Sequence, residues 1–70
     1  MKRRDLLGRI AKAAAGVSVE FGLVREGGKH SVYQCGAQRF TVPRHAEVNE
    51  ITARGILRHL ESELGKGWWR

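Results

Sequence analysis

The chain has 70 residues, 13 of them Lys or Arg against 7 Asp or Glu, giving a formal charge of +6 and a pI near 10.5. A chain this short buries only roughly 60% of its unfolded surface, which excludes a deep enclosed pocket and leaves one domain, residues 1–70, with one small core. The charge excludes a preference for cationic partners and points to a polyanion, with nucleic acid ahead of an anionic membrane.

The opening stretch Met1-Lys2-Arg3-Arg4-Asp5-Leu6-Leu7 is basic and amphipathic. It lacks the apolar segment of a secretory signal, and no run approaches the roughly 20 apolar residues of a membrane span. A cytoplasmic protein is therefore expected. Residues 3–15 read as a helix, because Leu6, Leu7, Ile10, Ala13, Ala14 and Val17 recur at three- and four-residue steps. Lys2, Arg9 and Lys12 fall on the other side of the wheel, and Gly16 is the natural stop. Gly8 sits inside this helix and Gly55 inside the next, each costing roughly 1 kcal/mol relative to alanine. Either they let the helices approach closely or they are simply tolerated.

Val19–Arg25, His30–Cys35 and Gln38–Val42 read as three short strands. Gly27-Gly28 suits a primed two-residue turn, since glycine takes positive φ without steric cost. Gly36-Ala37 makes the second turn, and Pro43 ends the third strand because it cannot donate to a ladder. Asn49 is a plausible cap for a helix reaching Leu64, with Ala53, Ile56, Leu57, Leu60 and Leu64 as its apolar stripe. Gly65-Lys66-Gly67 breaks it and opens a tail over 65–70. The order is α-β-β-β-α: an α+β fold with a three-stranded antiparallel sheet and two helices on one face. It looks like the small double-stranded-RNA-binding type.

Two-residue turns set the faces of the sheet. They place Arg25 opposite His30, Leu23 opposite Val32, Tyr33 opposite Phe40 and Gln34 opposite Arg39. Val24, Tyr33, Cys35, Phe40 and Val42 then form the core face. Arg25, His30, Gln34, Arg39 and Thr41 form a polar, basic face, which a one-residue slip would undo. Phe21, Leu23 and Val32 are left on that open face, where they either stack on bases or lie under the Trp68-Trp69 tail.

The residues that could carry chemistry are few. His30 stands at the root of the second strand, and a lone histidine there is a structural group, an exposed bystander or a catalyst. RNA carries its own nucleophile, so a group titrating near neutrality could take the 2′-hydroxyl proton or protonate the departing 5′-oxygen. Arginines nearby would hold the phosphate. Arg25 opposite His30 would disfavour imidazolium and so favour a base role. Arg44-His45, just past the strand-ending proline, suits phosphate contact or is a polar loop. Lys2, Arg3, Arg4, Arg9 and Lys12 on the first helix, with Arg25, Lys29 and Arg39, are candidate RNA contacts; a solvated face is the alternative. Tyr33 is expected to pack on Phe40, and His59 to pair with Glu63 one turn on. Cys35, the single cysteine, cannot form an internal disulfide and reads as a small buried apolar residue. No Cys/His or carboxylate cluster has metal spacing, so no metal and no cofactor are expected. Trp68 and Trp69 dock on the domain, anchor a partner, or support a homo-oligomer.

The pieces Lys2–Leu7, Gly27–Tyr33, Val42–His45 and Ile51–Leu60 together resemble the HicA family of bacterial toxins, small RNA-cleaving proteins of toxin–antitoxin pairs. The family pattern is a basic first helix, a Gly-rich turn leading to histidine and an apolar-aromatic pair, a V-P-x-H segment and a closing helix. The resemblance covers the chain up to Leu64. It departs at Ala11–Val19, longer than the usual link from helix to strand, and at the Trp-Trp tail. It implies the double-stranded-RNA-binding type of fold, His30 as the functional histidine, and mRNA cleavage without a metal in a stress response. It also implies an antitoxin protein of the HicB type as partner. Two other classes stay open: an RNA-binding module without catalysis, and an interaction protein using the tail and the basic helix.

Overall fold

The computed structural model describes all residues from Met1 to Arg70. Helix α1 spans Arg3–Gly16, strands β1, β2 and β3 span Phe21–Glu26, His30–Cys35 and Gln38–Pro43, and helices α2 and α3 span Glu50–His59 and Glu61–Leu64. The strands make one antiparallel sheet in the order β1-β2-β3. The α+β class and the α-β-β-β-α order are as the sequence predicts, with the closing helix divided in two.

Helix α1 buries Leu6, Ile10 and Ala14, the heart of its expected stripe. Its end differs from expectation. Gly16 remains helical, and Ser18 takes the left-handed conformation at φ 58°. The Ser18 N–H donates to the Ala15 carbonyl at 3.3 Å, and the Val19 N–H donates to that of Ala14 at 2.8 Å. This is the Schellman pairing, which satisfies carbonyls the helix end leaves over. The chain turns away here, so Val17 drops out of the stripe and is 51% exposed.

At α2 the Asn49 side chain accepts the Ile51 N–H at 2.8 Å, the expected cap. Ala53, Ile56, Leu57, Leu60 and Leu64 are all buried. The helix breaks at Leu60, and beside the break the Leu57 carbonyl accepts the indole N–H of Trp68 at 2.9 Å. Twelve buried residues from α1, the sheet, α2, α3, Val48 and Leu60 form one core, with Trp68 and Trp69 packed against it. The tail therefore docks on the helical layer and does not cover the open face of the sheet. A Cβ at Gly8 or Gly55 would meet nothing within 4 Å, so neither glycine serves close helix packing. His59 and Glu63 fall on either side of the break and form no ion pair.

The β2–β3 pairing is the predicted one, Tyr33 opposite Phe40 and Gln34 opposite Arg39. The β1–β2 pairing is not. Leu23 lies opposite Tyr33 and Arg25 opposite Val32, with a bulge between Leu23 and Arg25. The extra residue, Val24, is 43% exposed and is not part of the core. The bulge has a clear effect. Phe21 and Glu26 are five residues apart and would face opposite sides of a regular strand, yet here they lie opposite Cys35 and Ser31, which share a face. Phe21 thus turns to the helix side, and its ring stacks 5.6 Å from Tyr33 and 6.4 Å from Phe40. Tyr33 packs on Phe40 at 6.1 Å, as expected.

Candidate nucleic-acid interface

The two motifs singled out in the sequence meet at one end of the sheet. His30 pairs with Pro43, and the Arg44 N–H donates to the Lys29 carbonyl at 3.0 Å. Lys29-His30 and Arg44-His45 are thereby side by side, and all four are exposed. His30 belongs to the open face with Arg25, Val32, Gln34, Arg39 and Thr41, since these residues are paired or two apart along their strands. Arg25 stands diagonal to His30 and not opposite it. The expected charge pair that would have favoured a base role is therefore absent.

The turn itself differs in detail. The Gly27 N–H donates to the His30 carbonyl at 2.8 Å, so Gly28-Lys29 are its central residues. Neither Gly27 nor Gly28 takes positive φ. Gly27 is needed for space, because a Cβ there would stand 2.6 Å from the His30 carbonyl oxygen. Arg44 clamps the turn from the other side, donating to the Gly27 carbonyl at 2.9 Å and lying 3.8 Å from the Glu26 carboxylate.

Beneath this end runs a polar network that sequence reasoning missed. Ser31 is fully buried; its hydroxyl donates to Glu26 at 2.5 Å and accepts from the Arg3 guanidinium at 3.2 Å. Arg3 also donates to the Pro43 carbonyl at 3.0 Å and the Tyr33 hydroxyl at 3.4 Å. The Ser31 hydrogen bond, with Arg44 and Arg3 nearby, holds the Glu26 carboxyl below the usual carboxylate range. Arg3 is thus a strut between α1 and the sheet more than an open phosphate ligand. The available signal was a serine among the inward positions Ser31, Tyr33 and Cys35: a buried hydroxyl needs partners.

The remaining predicted contacts divide into three groups. Lys2 and Arg4 are exposed and line a shallow hollow with Arg3, Arg44, Ala46 and Glu47, so they adjoin the His30 end. Arg39 is held by Gln34 at 3.2 Å, four residues along β2 from the His30–Pro43 pair, about 13 Å away at roughly 3.3 Å per residue. Arg9 and Lys12 lie on the outer side of α1 beside Trp68, Trp69 and Arg70, in the helical layer and not on the open sheet face. The basic residues therefore form no single flat surface.

Cys35 is buried, and burial pushes its thiol up, away from the nucleophilic thiolate. No three His, Cys, Asp or Glu side chains converge to hold a metal. No helix is long and apolar enough to cross a membrane. No protein-family model, characterised protein or solved structure matches the chain. The HicA resemblance therefore rests on the residues quoted for it alone.

Proposed function

We propose that the chain is a metal-independent endoribonuclease of the HicA toxin type, acting on mRNA in the cytoplasm and held inactive by a HicB-type antitoxin. The observation that carries the reading is the His30–Pro43 pairing, which brings the exposed Lys29-His30 and Arg44-His45 segments together at one end of the sheet. The reading includes the double-stranded-RNA-binding type of fold. The cations bind the phosphodiester and stabilise charge developing on it. The RNA 2′-oxygen attacks phosphorus and loses its proton, while the P–O5′ bond breaks and the 5′-oxygen gains one. His30 handles one of these protons, and water or His45 exchanges the other. The products are a 2′,3′-cyclic phosphate and a free 5′-hydroxyl.

A non-catalytic RNA-binding module is the second reading. It is favoured by one observation: no side chain hydrogen-bonds the His30 ring, so nothing fixes its tautomer. Purified protein incubated with RNA in EDTA separates the two. Cleavage leaving cyclic-phosphate ends is expected. Activity abolished by EDTA and restored by magnesium would overturn the histidine mechanism. Tight binding of RNA that stays intact would establish the module.

A further inference from the structure

Helix α1 carries Arg3 and Arg4 in its first turn and Arg9 and Lys12 along its middle, and that middle faces an aromatic groove. Arg9, Lys12, Ala13, Trp68, Trp69 and Arg70 line an open groove of about 440 Å³. The two indoles are fixed in place. Trp68 donates to the Leu57 carbonyl at 2.9 Å, and Trp69 donates to the Glu61 carboxylate at 3.2 Å. The same Glu61 oxygen accepts the Gly67 N–H at 2.8 Å. Both rings stay partly exposed, and the Arg70 guanidinium lies 5.3 Å from the Trp69 ring centre. Arg9 reaches the Trp69 carbonyl at 3.4 Å. No acidic side chain lines the groove.

We propose that this groove is a second RNA site, one that takes an unpaired base against Trp68 and Trp69 and its flanking phosphates on Arg9, Lys12 and Arg70. Rigid aromatic planes with interleaved cations are what single-stranded nucleic acid requires, since every base has a stacking face and the backbone is uniformly anionic. An acidic peptide would satisfy the cations and leave the indole planes unused. Lys2 and Arg4 at the other end of α1 adjoin the His30 end. A strand engaged there can thus continue along α1 to the tryptophans. The inference rests on RNA being the partner, but not on cleavage.

Both tryptophans of the chain line this groove, so indole fluorescence excited beyond the absorption of Tyr33 reports on it. The experiment titrates oligouridine into the intact protein. It reads indole quenching and, in parallel, the anisotropy of a fluorescein-labelled oligouridine, which reports binding anywhere. Both signals are expected to change with one apparent affinity. Duplex RNA and polyglutamate are expected to quench much less. In Arg9→Ala/Lys12→Ala, alanine on the exposed side of a helix keeps the fold. Its log–log salt slope is expected to fall by about 1.4, at roughly 0.7 per phosphate on a single strand. Trp68→Ala is expected to weaken oligouridine by about 5- to 150-fold, the loss of one stacked base. An anisotropy change without quenching overturns the groove and leaves the RNA reading intact. Equal quenching by duplex RNA or polyglutamate overturns stacking on a single strand. Oligouridine anisotropy that never changes removes single-stranded RNA as a partner and overturns this site, while the cleavage assay decides the proposed function separately.

Discussion

The two hairpins share strand β2, yet they are built by different rules. In the β2–β3 hairpin the turn alone sets the register. Gly36 takes φ 59° and Ala37 does not take positive φ, the pattern of a type II′ turn with glycine first. In the β1–β2 hairpin the turn does not set it. Gly27 and Gly28 avoid positive φ, and a bulge at Val24 shifts the rest of β1. Tertiary demands decide this second case. Glu26 must reach Ser31 and Arg44, and Phe21 must reach the core, on one face of one strand. Regularity serves packing in one hairpin. Irregularity in the other supports the end where His30 and Arg44 meet.

The largest expected contrast is in activity. His30→Ala should lower cleavage about 10²–10⁴-fold, the usual loss for one general acid–base group, with RNA affinity and Tm little changed. Ala37→Ser, at the other turn, should leave the rate near wild type. A large drop in Tm for His30→Ala would instead make His30 structural; unchanged cleavage would move the chemistry to His45 or out of the protein.

Gly27→Ala should come next. Its Cβ would press on the His30 backbone, at 2.6 Å, and forced overpacking of this kind usually costs about 1–3 kcal/mol. Gly28→Ala meets nothing within 4 Å and should stay within about 0.5 kcal/mol. Thermal melts of the pair test this directly, and equal losses would mean that the turn is not the one described.

Gly36→Ala should cost about 1–2 kcal/mol, because alanine is forced into the left-handed region. Tm would fall by roughly 4–8 °C per kcal/mol in a domain this small. The added methyl would also meet the Glu63 carboxylate, a flexible group that can move. A neutral result would show that the second turn has an alternative geometry.

The smallest expected effect is electrostatic. The Glu26 carboxyl titrates lower in the folded protein, first because Ser31 donates to it and then because of Arg44. A depressed folded pKa contributes stability above the unfolded value, near 4.5, and that contribution disappears as pH falls through the lower folded value. Wild-type Tm should therefore decline with acid below about pH 4.5 more than that of Glu26→Gln. Parallel declines would show that Glu26 is not held by the network.

The sequence alone determined the element order, the stripes of α1 and α2, the Asn49 cap, the β2–β3 register and the exposure of His30. Each is a local matter: a period of two or 3.6, a cap, or a turn that glycine permits. It also placed the Lys29-His30 and Arg44-His45 motifs, though not their meeting. Only the tertiary structure decided the bulge at Val24, the left-handed Ser18, the break at Leu60 and the division of the cations among separate surfaces. These answer to partners far along the chain. Arg3 finds Pro43, Trp68 takes the Leu57 carbonyl, and Glu26 and Phe21 must face the same layer. Local spacing carries no term for such partners, because a buried polar group or an indole N–H is satisfied by whatever the fold brings near it.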